Sequence, residues 1–194
     1  MKRRRKMKKL IALLIASLMA LAILSTITAP AQAAVSAPRC VKTAAEQAMR
    51  DSGMDCAFVI KVGAGGKGTG YMFYKNSKGK AICDRSGQVI IGKNTKIYKK
   101  AHYYFYRNFD FEYNNKAMYW TKSGKKYRQK WSINVTSEFA AFDFLVHGYV
   151  EEKVGSTWKI HKGVSQNRDG ISMCQEFARY LRSCADPGCR VIFL

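Results

Sequence analysis

The stretch that decides the fold lies in the last third of the chain. It comprises Val146-His147-Gly148, Gly163-Val164-Ser165, Gly170-Ile171-Ser172-Met173 and a closing Pro187-Gly188-Cys189-Arg190-Val191-Ile192. The apolar run over residues 142–147 predicts a strand with His147 at its end. Residues 172–184 predict a helix, because apolar side chains recur there at helical spacing on one face. These side chains are Cys174, Phe177, Ala178 and Leu181.

This order of elements resembles the catalytic half of the L,D-transpeptidases, the YkuD-like enzymes that cross-link peptidoglycan. In that family a His-Gly on a strand precedes a Ser-x-Gly-Cys-(Ile/Val)-Arg-(Met/Leu) segment, a helix, a Pro-Gly turn and a last strand. The resemblance covers residues 58–194 and implies a mainly β, sandwich-like domain with one late helix and an active cleft at one end. The Cys and the Arg of the second segment are missing from this chain.

The chemistry of that family needs a thiolate nucleophile, a His that activates it and backbone N–H groups that stabilise an oxyanion. The resemblance assigns the catalytic His to His147 and substrate contacts to Gly148 and Gly170. A structural corner is the competing interpretation of His147-Gly148. One alignment sets Gly170 on the motif Gly and deletes the Cys. The ungapped alternative sets Gly170 on the Cys and Ser172 on the Arg, so both alignments remove the thiol.

Four other residues are candidates to replace the missing groups. Cys174 lies four residues after Gly170 and is a candidate nucleophile, and Ser165 and Ser172 are two others. Because Cys174 shares the predicted apolar face of the helix, core packing or a disulfide competes with that role. Arg168 is a candidate carboxylate clamp in place of the missing Arg, although a loop Arg is usually only solvated.

The N-terminus has the pattern of an export signal. Seven Lys and Arg residues within residues 2–9 precede an apolar run over 10–27, and Ala31-Gln32-Ala33 forms a small-x-small cleavage site. We predict a cleaved signal peptide over residues 1–33. An uncleaved membrane anchor is the alternative, because the apolar run is nearly long enough to span a bilayer.

The charge of the chain is strongly positive. Seven of the 34 basic residues lie in the signal and all 13 acidic residues follow it, so the mature chain has a net charge of +14. Such a surface attracts polyanions. For an exported protein these are anionic wall polymers and peptidoglycan rather than nucleic acid, and we expect salt-sensitive binding to them. A soluble surface without a specific partner is the alternative.

Six cysteines follow the signal, and an even number in an exported chain predicts disulfide bonds. Cys174 and Cys184 should lie ~15 Å apart on one helix, beyond disulfide reach. Cys184 and Cys189 flank a turn and could pair, and one of the three N-terminal cysteines could reach Cys174. Those three are Cys40, Cys56 and Cys83. The spacing does not match a zinc site, and we predict neither a metal nor a cofactor.

The remaining sequence predicts a short helix, short strands and turns. Residues 41–51 predict a short helix. The glycine-rich segment Gly63–Gly68 matches a dinucleotide fingerprint by letter, but it precedes a strand and therefore predicts a hairpin loop. Ser86-Gly87 predicts a turn between two strands. Aromatic and basic residues alternate over residues 96–131, which indicates the two faces of a sheet or, alternatively, a platform for sugars or single-stranded nucleic acid.

These patterns predict a signal peptide over residues 1–33, an extension with a short helix over 34–56 and an L,D-transpeptidase-like domain over 57–194. We expect a secreted or cell-wall-associated monomer that contacts the membrane only before cleavage. Three functions stay open. The first is a divergent transpeptidase using His147 with Cys174. The second is a catalytically dead relative that binds peptidoglycan stem peptides or anionic wall polymers. The third is an unrelated basic secreted protein or effector stabilised by disulfides.

Overall fold

The computed structural model describes residues 35–98, 101–106, 118–161 and 170–194. The predicted signal peptide, Ser165 and Arg168 lie outside these residues. The described chain is mainly β with one helix near each end, which confirms the predicted class. Neither of these helices is long and apolar enough to cross a membrane.

The first helix, α1, spans Arg39–Ser52 and confirms the helix predicted over residues 41–51. Val41, Ala45 and Met49 recur at four-residue intervals and are buried, which is the pattern of a helix with one apolar face. Gly53 ends the helix with a φ of 70°, a left-handed conformation that glycine adopts without strain. The buried face of α1 packs on outward-facing side chains of the neighbouring strands. These include Ala57, Val59, Tyr71 and Phe73.

Twelve strands and the second helix follow in the described residues. In chain order they are β1 (Cys56–Val62), β2 (Lys67–Lys75), β3 (Ala81–Ile91), β4 (Tyr103–Tyr106), β5 (Met118–Lys122), β6 (Lys125–Gln129), β7 (Ile133–Ser137), β8 (Ala140–Gly148), β9 (Val150–Val154), β10 (Thr157–His161), β11 (Ile171–Met173), α2 (Gln175–Cys184) and β12 (Arg190–Phe193). The segment Gly63–Gly68 joins β1 to β2 as an antiparallel hairpin, as predicted.

Eight of the strands form a closed barrel in the order β1-β12-β4-β7-β8-β11-β3-β2. The resemblance implied a sandwich-like arrangement of the strands, whereas the structure has a closed barrel. Closure arises because β1 pairs on one side with β2, antiparallel, and on the other with the last strand, β12, in parallel. This pairing leaves no free edge in the barrel, so its backbone polar groups are satisfied within the sheet.

The barrel interior is filled by aromatic and aliphatic side chains. Phe58 of β1 stacks on Phe105 of β4 with ring centroids 5.8 Å apart and meets Phe177 of α2 edge-on at 6.1 Å. Phe177, Ala178 and Leu181 are all buried, so α2 is held to the barrel by one apolar face. This face is the one predicted from helical spacing.

The start of α2 differs from the sequence prediction. Residues 171–173 are a strand, because Ile171, Ser172 and Met173 pair with β8 on one side and β3 on the other. The helix therefore begins at Gln175 rather than near Ser172. Cross-strand pairing decided the conformation of these residues over their helical periodicity.

The other four strands form a separate antiparallel sheet in the order β10-β9-β6-β5. Its strands β5 and β6 follow β4 of the barrel, and the chain passes from β8 of the barrel into β9 of this sheet through Tyr149. Most of its side chains are exposed or half-buried, whereas Glu151 is only 6% exposed. This sheet carries much of the alternating aromatic and basic sequence.

Candidate functional site

Strands β8 and β11 bring two of the candidate residues side by side. In their parallel register Ser172 lies opposite His147, and both side chains are fully buried. Val146, Ile171 and Met173 belong to the barrel core, so the alternation of a strand directs His147 and Ser172 to the outer face. The His147 Nδ1 atom lies 2.7 Å from the carbonyl oxygen of Gly148.

Gly170 immediately precedes β11 and lies against both β8 and the loop after β3. Its φ is 92°, in the left-handed region. A Cβ atom at this position would lie 2.4 Å from the Leu145 carbonyl oxygen and 3.4 Å from His147 Cδ2. The Gly170 N–H donates to Thr95 Oγ1 at 2.7 Å, and the Gly170 carbonyl accepts from Thr95 Oγ1 at 2.9 Å. The position that the ungapped alignment sets on the motif Cys therefore has no room for a side chain.

A cleft of about 250 Å³ opens beside Gly170. It is lined by the loop after β3 and by β8, through Asn94, Thr95, Lys96, Tyr98, Asp143, Phe144, Leu145 and Gly170. The Asp143 Oδ2 atom is buried and has no hydrogen-bond partner among the residues that the structure describes. Lys96 is exposed and makes no ion pair within the described chain. The cleft thus offers a buried acceptor and an exposed cation to a ligand.

Sequence reasoning did not identify Asp143, Lys96 or Thr95. Asp143 did carry a signal, because it is a charged residue inside the apolar run Phe142-Asp143-Phe144. Charged residues are rarely buried without a partner, so Asp143 indicates that one side of the strand ending at His147 does not belong to the apolar core. No pattern in the sequence brings the loop after β3 to this strand, since that contact depends on the β3–β11 pairing.

Cys174 occupies a different place from the one predicted. It is exposed and forms the N-cap of α2, where its Sγ accepts a hydrogen bond from the Phe177 N–H at 3.4 Å. The prediction that it packs on the apolar face was wrong, because the helix begins after it. Four residues of extended chain, about 13 Å, separate it from Gly170 and the cleft.

Gly148 lies beneath the side chain of Gln175. Its N–H donates to the Lys130 carbonyl oxygen at 2.8 Å. A Cβ atom there would lie 2.1 Å from Gln175 Oε1, and Gln175 Nε2 donates to the Tyr149 carbonyl oxygen at 2.9 Å. The Gln175 amide thus fills the space next to Gly148, at the end of β8 away from the cleft. Burial, followed by the neighbouring Cys174, raises the pKa of the Tyr149 hydroxyl.

The predicted disulfides are not present. All six cysteines are free thiols, and no pair of sulfur atoms is at disulfide distance. Cys40 and Cys174 are exposed, whereas Cys56 and Cys189 are buried neighbours at the start of the β1–β12 pairing. The hydrogen bond between these two thiols lowers the pKa of Cys56 and raises that of Cys189. Among the described residues, no group of His, Cys, Asp and Glu side chains could hold a metal ion.

The exposure of the six free thiols predicts how fast each of them reacts with a thiol reagent. In the native protein, a thiol reagent such as DTNB should react rapidly with two cysteines, Cys40 and Cys174, because only they are exposed. Unfolding without reductant should release all six. The double variant Cys40→Ser, Cys174→Ser should lose the rapid phase. A count of four thiols in the unfolded, unreduced protein would contradict the structure and indicate one disulfide.

No protein-family model matches the chain, and no curated protein matches it. Among solved structures, it is similar to a fused Zn-dependent amidase/peptidase/peptidoglycan-binding domain-containing protein from Clostridium acetobutylicum. The identity is 12% and the TM-score 0.49, with 80% of this chain covered. The chain spans 61% of the length of that protein.

Proposed function

We propose that the protein is an exported, catalytically degenerate relative of the L,D-transpeptidases that binds peptidoglycan stem peptides. The ligand lies in the cleft bounded by Gly170, Asp143 and Lys96. The observation that carries the proposal is the contrast at Gly170. In the ungapped alignment Gly170 is the position of the motif thiol and has no room for a side chain, yet an open cleft with a charged acceptor and a cation remains beside it.

The positions of Cys174 and His147 do not suit catalysis. Transfer reactions need the nucleophile within about 1 Å of its productive position, because such an error can cost ~100-fold in rate. Cys174 lies about 13 Å along the chain from the cleft and caps α2 with its sulfur. His147 is fully buried beside Ser172 and Gly170. His147 therefore has a structural role, packing against Gly170 at the wall of the cleft.

The chemistry of the cleft suits a stem peptide. A peptidoglycan stem peptide carries carboxylates and, in its diamino acid, an ammonium group. Within the described chain, Asp143 Oδ2 is a buried acceptor without a partner, and leaving such a group unsatisfied costs about 1–3 kcal/mol. A ligand ammonium or amide N–H recovers that cost, while Lys96 binds a carboxylate. Export by the predicted signal and the net charge of +14 after it are consistent with residence at the wall.

Calorimetric titration with a soluble stem tetrapeptide tests the proposal. Asp143→Asn and Lys96→Gln should each weaken binding about tenfold, because each removes one charge-assisted hydrogen bond. Lys93→Gln is the matched control, since Lys93 is an exposed lysine of the same loop that does not line the cleft. If Asp143→Asn and Lys96→Gln bind the tetrapeptide as tightly as Lys93→Gln does, the proposed site is refuted. Acylation of Cys174 by a carbapenem, mapped by mass spectrometry, would favour an active transpeptidase instead.

A further inference from the structure

The four-stranded sheet has one face on which aromatic and basic side chains gather. Pairing places Tyr119 opposite Arg128, and Lys153 opposite Trp158. Because side chains alternate along each strand, these residues share a face that also carries Thr121 and Lys126. The Tyr119 and Trp158 rings confirm this placement, with centroids 6.0 Å apart and a tilt of 56°. We call this set of residues the aromatic face.

The aromatic face encloses a groove of about 400 Å³. Its lining consists of Tyr119, Thr121, Lys126, Lys153 and Trp158, together with Trp120 and Tyr127, two residues that strand alternation assigns to the opposite face, and it contains no acidic residue. Lys126 and Lys153 make no ion pair within the described part of the chain. Two acids of the sheet are already paired. Glu151 lies on the aromatic face, opposite Arg128, and accepts from the Arg128 Nε. Glu152 pairs with Lys125 at 3.0 Å and with His161 at 2.9 Å, on the opposite face.

The Trp158 ring is held in place before any ligand arrives. The Arg128 guanidinium carbon lies 4.0 Å from its centroid, over one side of the ring. Arg128 Nε donates to Glu151 Oε2 at 2.5 Å, and the Lys130 ammonium lies 3.7 Å from the same oxygen. Glu151 is 6% exposed, so this clamp is buried. A ring fixed in this way loses little side-chain entropy when a ligand stacks on it.

We propose that the aromatic face binds a carboxylate-bearing glycan chain. Sugar rings stack their C–H faces on Trp158 and Tyr119, Lys126 and Lys153 bind the carboxylates, and the Thr121 hydroxyl bonds a sugar hydroxyl. This site is separate from the stem-peptide cleft and shares with the proposed function only the export of the chain. Its ligand is the glycan strand rather than the peptide.

The geometry favours a glycan over single-stranded nucleic acid. The 56° tilt between the two rings prevents a base from lying sandwiched between them, although either a base or a sugar ring can stack on one ring face. The nearest guanidinium, that of Arg128, is already occupied by Glu151 and Trp158. The groove therefore presents lysine point charges, which suit dispersed carboxylates.

Binding of the full chain to a hexasaccharide of peptide-free glycan strand, followed by calorimetry, tests the proposal. Trp158→Ala and Tyr119→Ala should each weaken binding about tenfold. Tyr106→Ala is the matched aromatic control, an exposed tyrosine of β4 in the barrel. Lys126→Gln should lower both the affinity and its salt dependence, whereas Lys159→Gln, on the opposite face, should change neither.

A second ligand and a second variant make the outcome decisive. The same hexasaccharide with its carboxylates reduced to alcohols should bind about tenfold more weakly and without salt dependence. Trp158→Phe keeps a ring and should retain intermediate affinity, and an unchanged circular dichroism spectrum and urea midpoint of every variant show that the fold is intact. Equal glycan binding by Trp158→Ala and the parent chain would overturn the proposal. Binding of oligothymidylate in place of the glycan, lost in the same variants, would overturn it in favour of nucleic acid.

Discussion

Gly170→Ala should lower the free energy of unfolding by about 3 kcal/mol, the sum of a strained left-handed backbone and an overpacked contact. The added Cβ would lie 2.4 Å from the Leu145 carbonyl oxygen, a backbone atom that cannot move without disturbing β8. Gly170→Cys should be at least as destabilising. Restoring the motif thiol at this position should therefore not restore transfer activity.

The matched control is Gly53→Ala. Gly53 has a similar positive φ of 70° but no heavy atom within 4 Å of an added Cβ. Its substitution should cost only about 1 kcal/mol, from the backbone conformation alone. Urea denaturation of both variants measures the difference. If Gly170→Ala is no less stable than Gly53→Ala, the position has room for a side chain, and the argument against a thiol there fails.

Phe177→Ala should lower the free energy of unfolding by about 4 kcal/mol, because it removes a fully buried ring and leaves a cavity. The Phe177 ring meets Phe58 in the barrel and lies over Gly87, where an added Cβ would be 2.7 Å from its Cδ1. The ring therefore packs α2 against β1 and β3. Arg179→Ala changes the exposed side of the same helix and should alter stability by less than about 0.5 kcal/mol.

Chemical denaturation with circular dichroism compares these two variants. A small loss for Phe177→Ala, comparable with that for Arg179→Ala, would mean that α2 does not depend on the barrel core. The rapid thiol reaction of Cys174 gives a second readout. Its rate should increase in Phe177→Ala, because the Sγ of Cys174 accepts the Phe177 N–H as the cap of the helix.

The two proposed sites lie in different parts of the fold and differ in chemistry. The barrel cleft, with Asp143 and Lys96, is small and carries both charge signs, which suits a zwitterionic peptide. The groove of the aromatic face is larger and lined by lysines without an acidic residue, which suits a glycan with free carboxylates. Since each site has its own probe and its own variants, the failure of one leaves the other open to test.

The sequence by itself determined the elements whose pattern is local. The four-residue recurrence of Val41, Ala45 and Met49 specifies α1, and the glycines of residues 63–68 specify a hairpin loop. The run ending at His147 specifies β8. Each pattern shows which residues of its own segment are apolar or permit a turn, so the element can be predicted without knowing which other segment packs against it.

Only the tertiary structure decided features that depend on a distant partner. Ser86-Gly87 lies within the continuous strand β3 instead of a turn, because both residues pair with β2, and the missing Cβ of Gly87 leaves room for the Phe177 ring. Residues 171–173 are a strand because β8 and β3 flank them, and this moves Cys174 from the apolar face to an exposed cap. Likewise, the cleft at Asp143 and the aromatic face arise from strand pairings between segments far apart in the chain. Such pairings depend on the closure of the barrel and the packing of its core, which no local periodicity encodes.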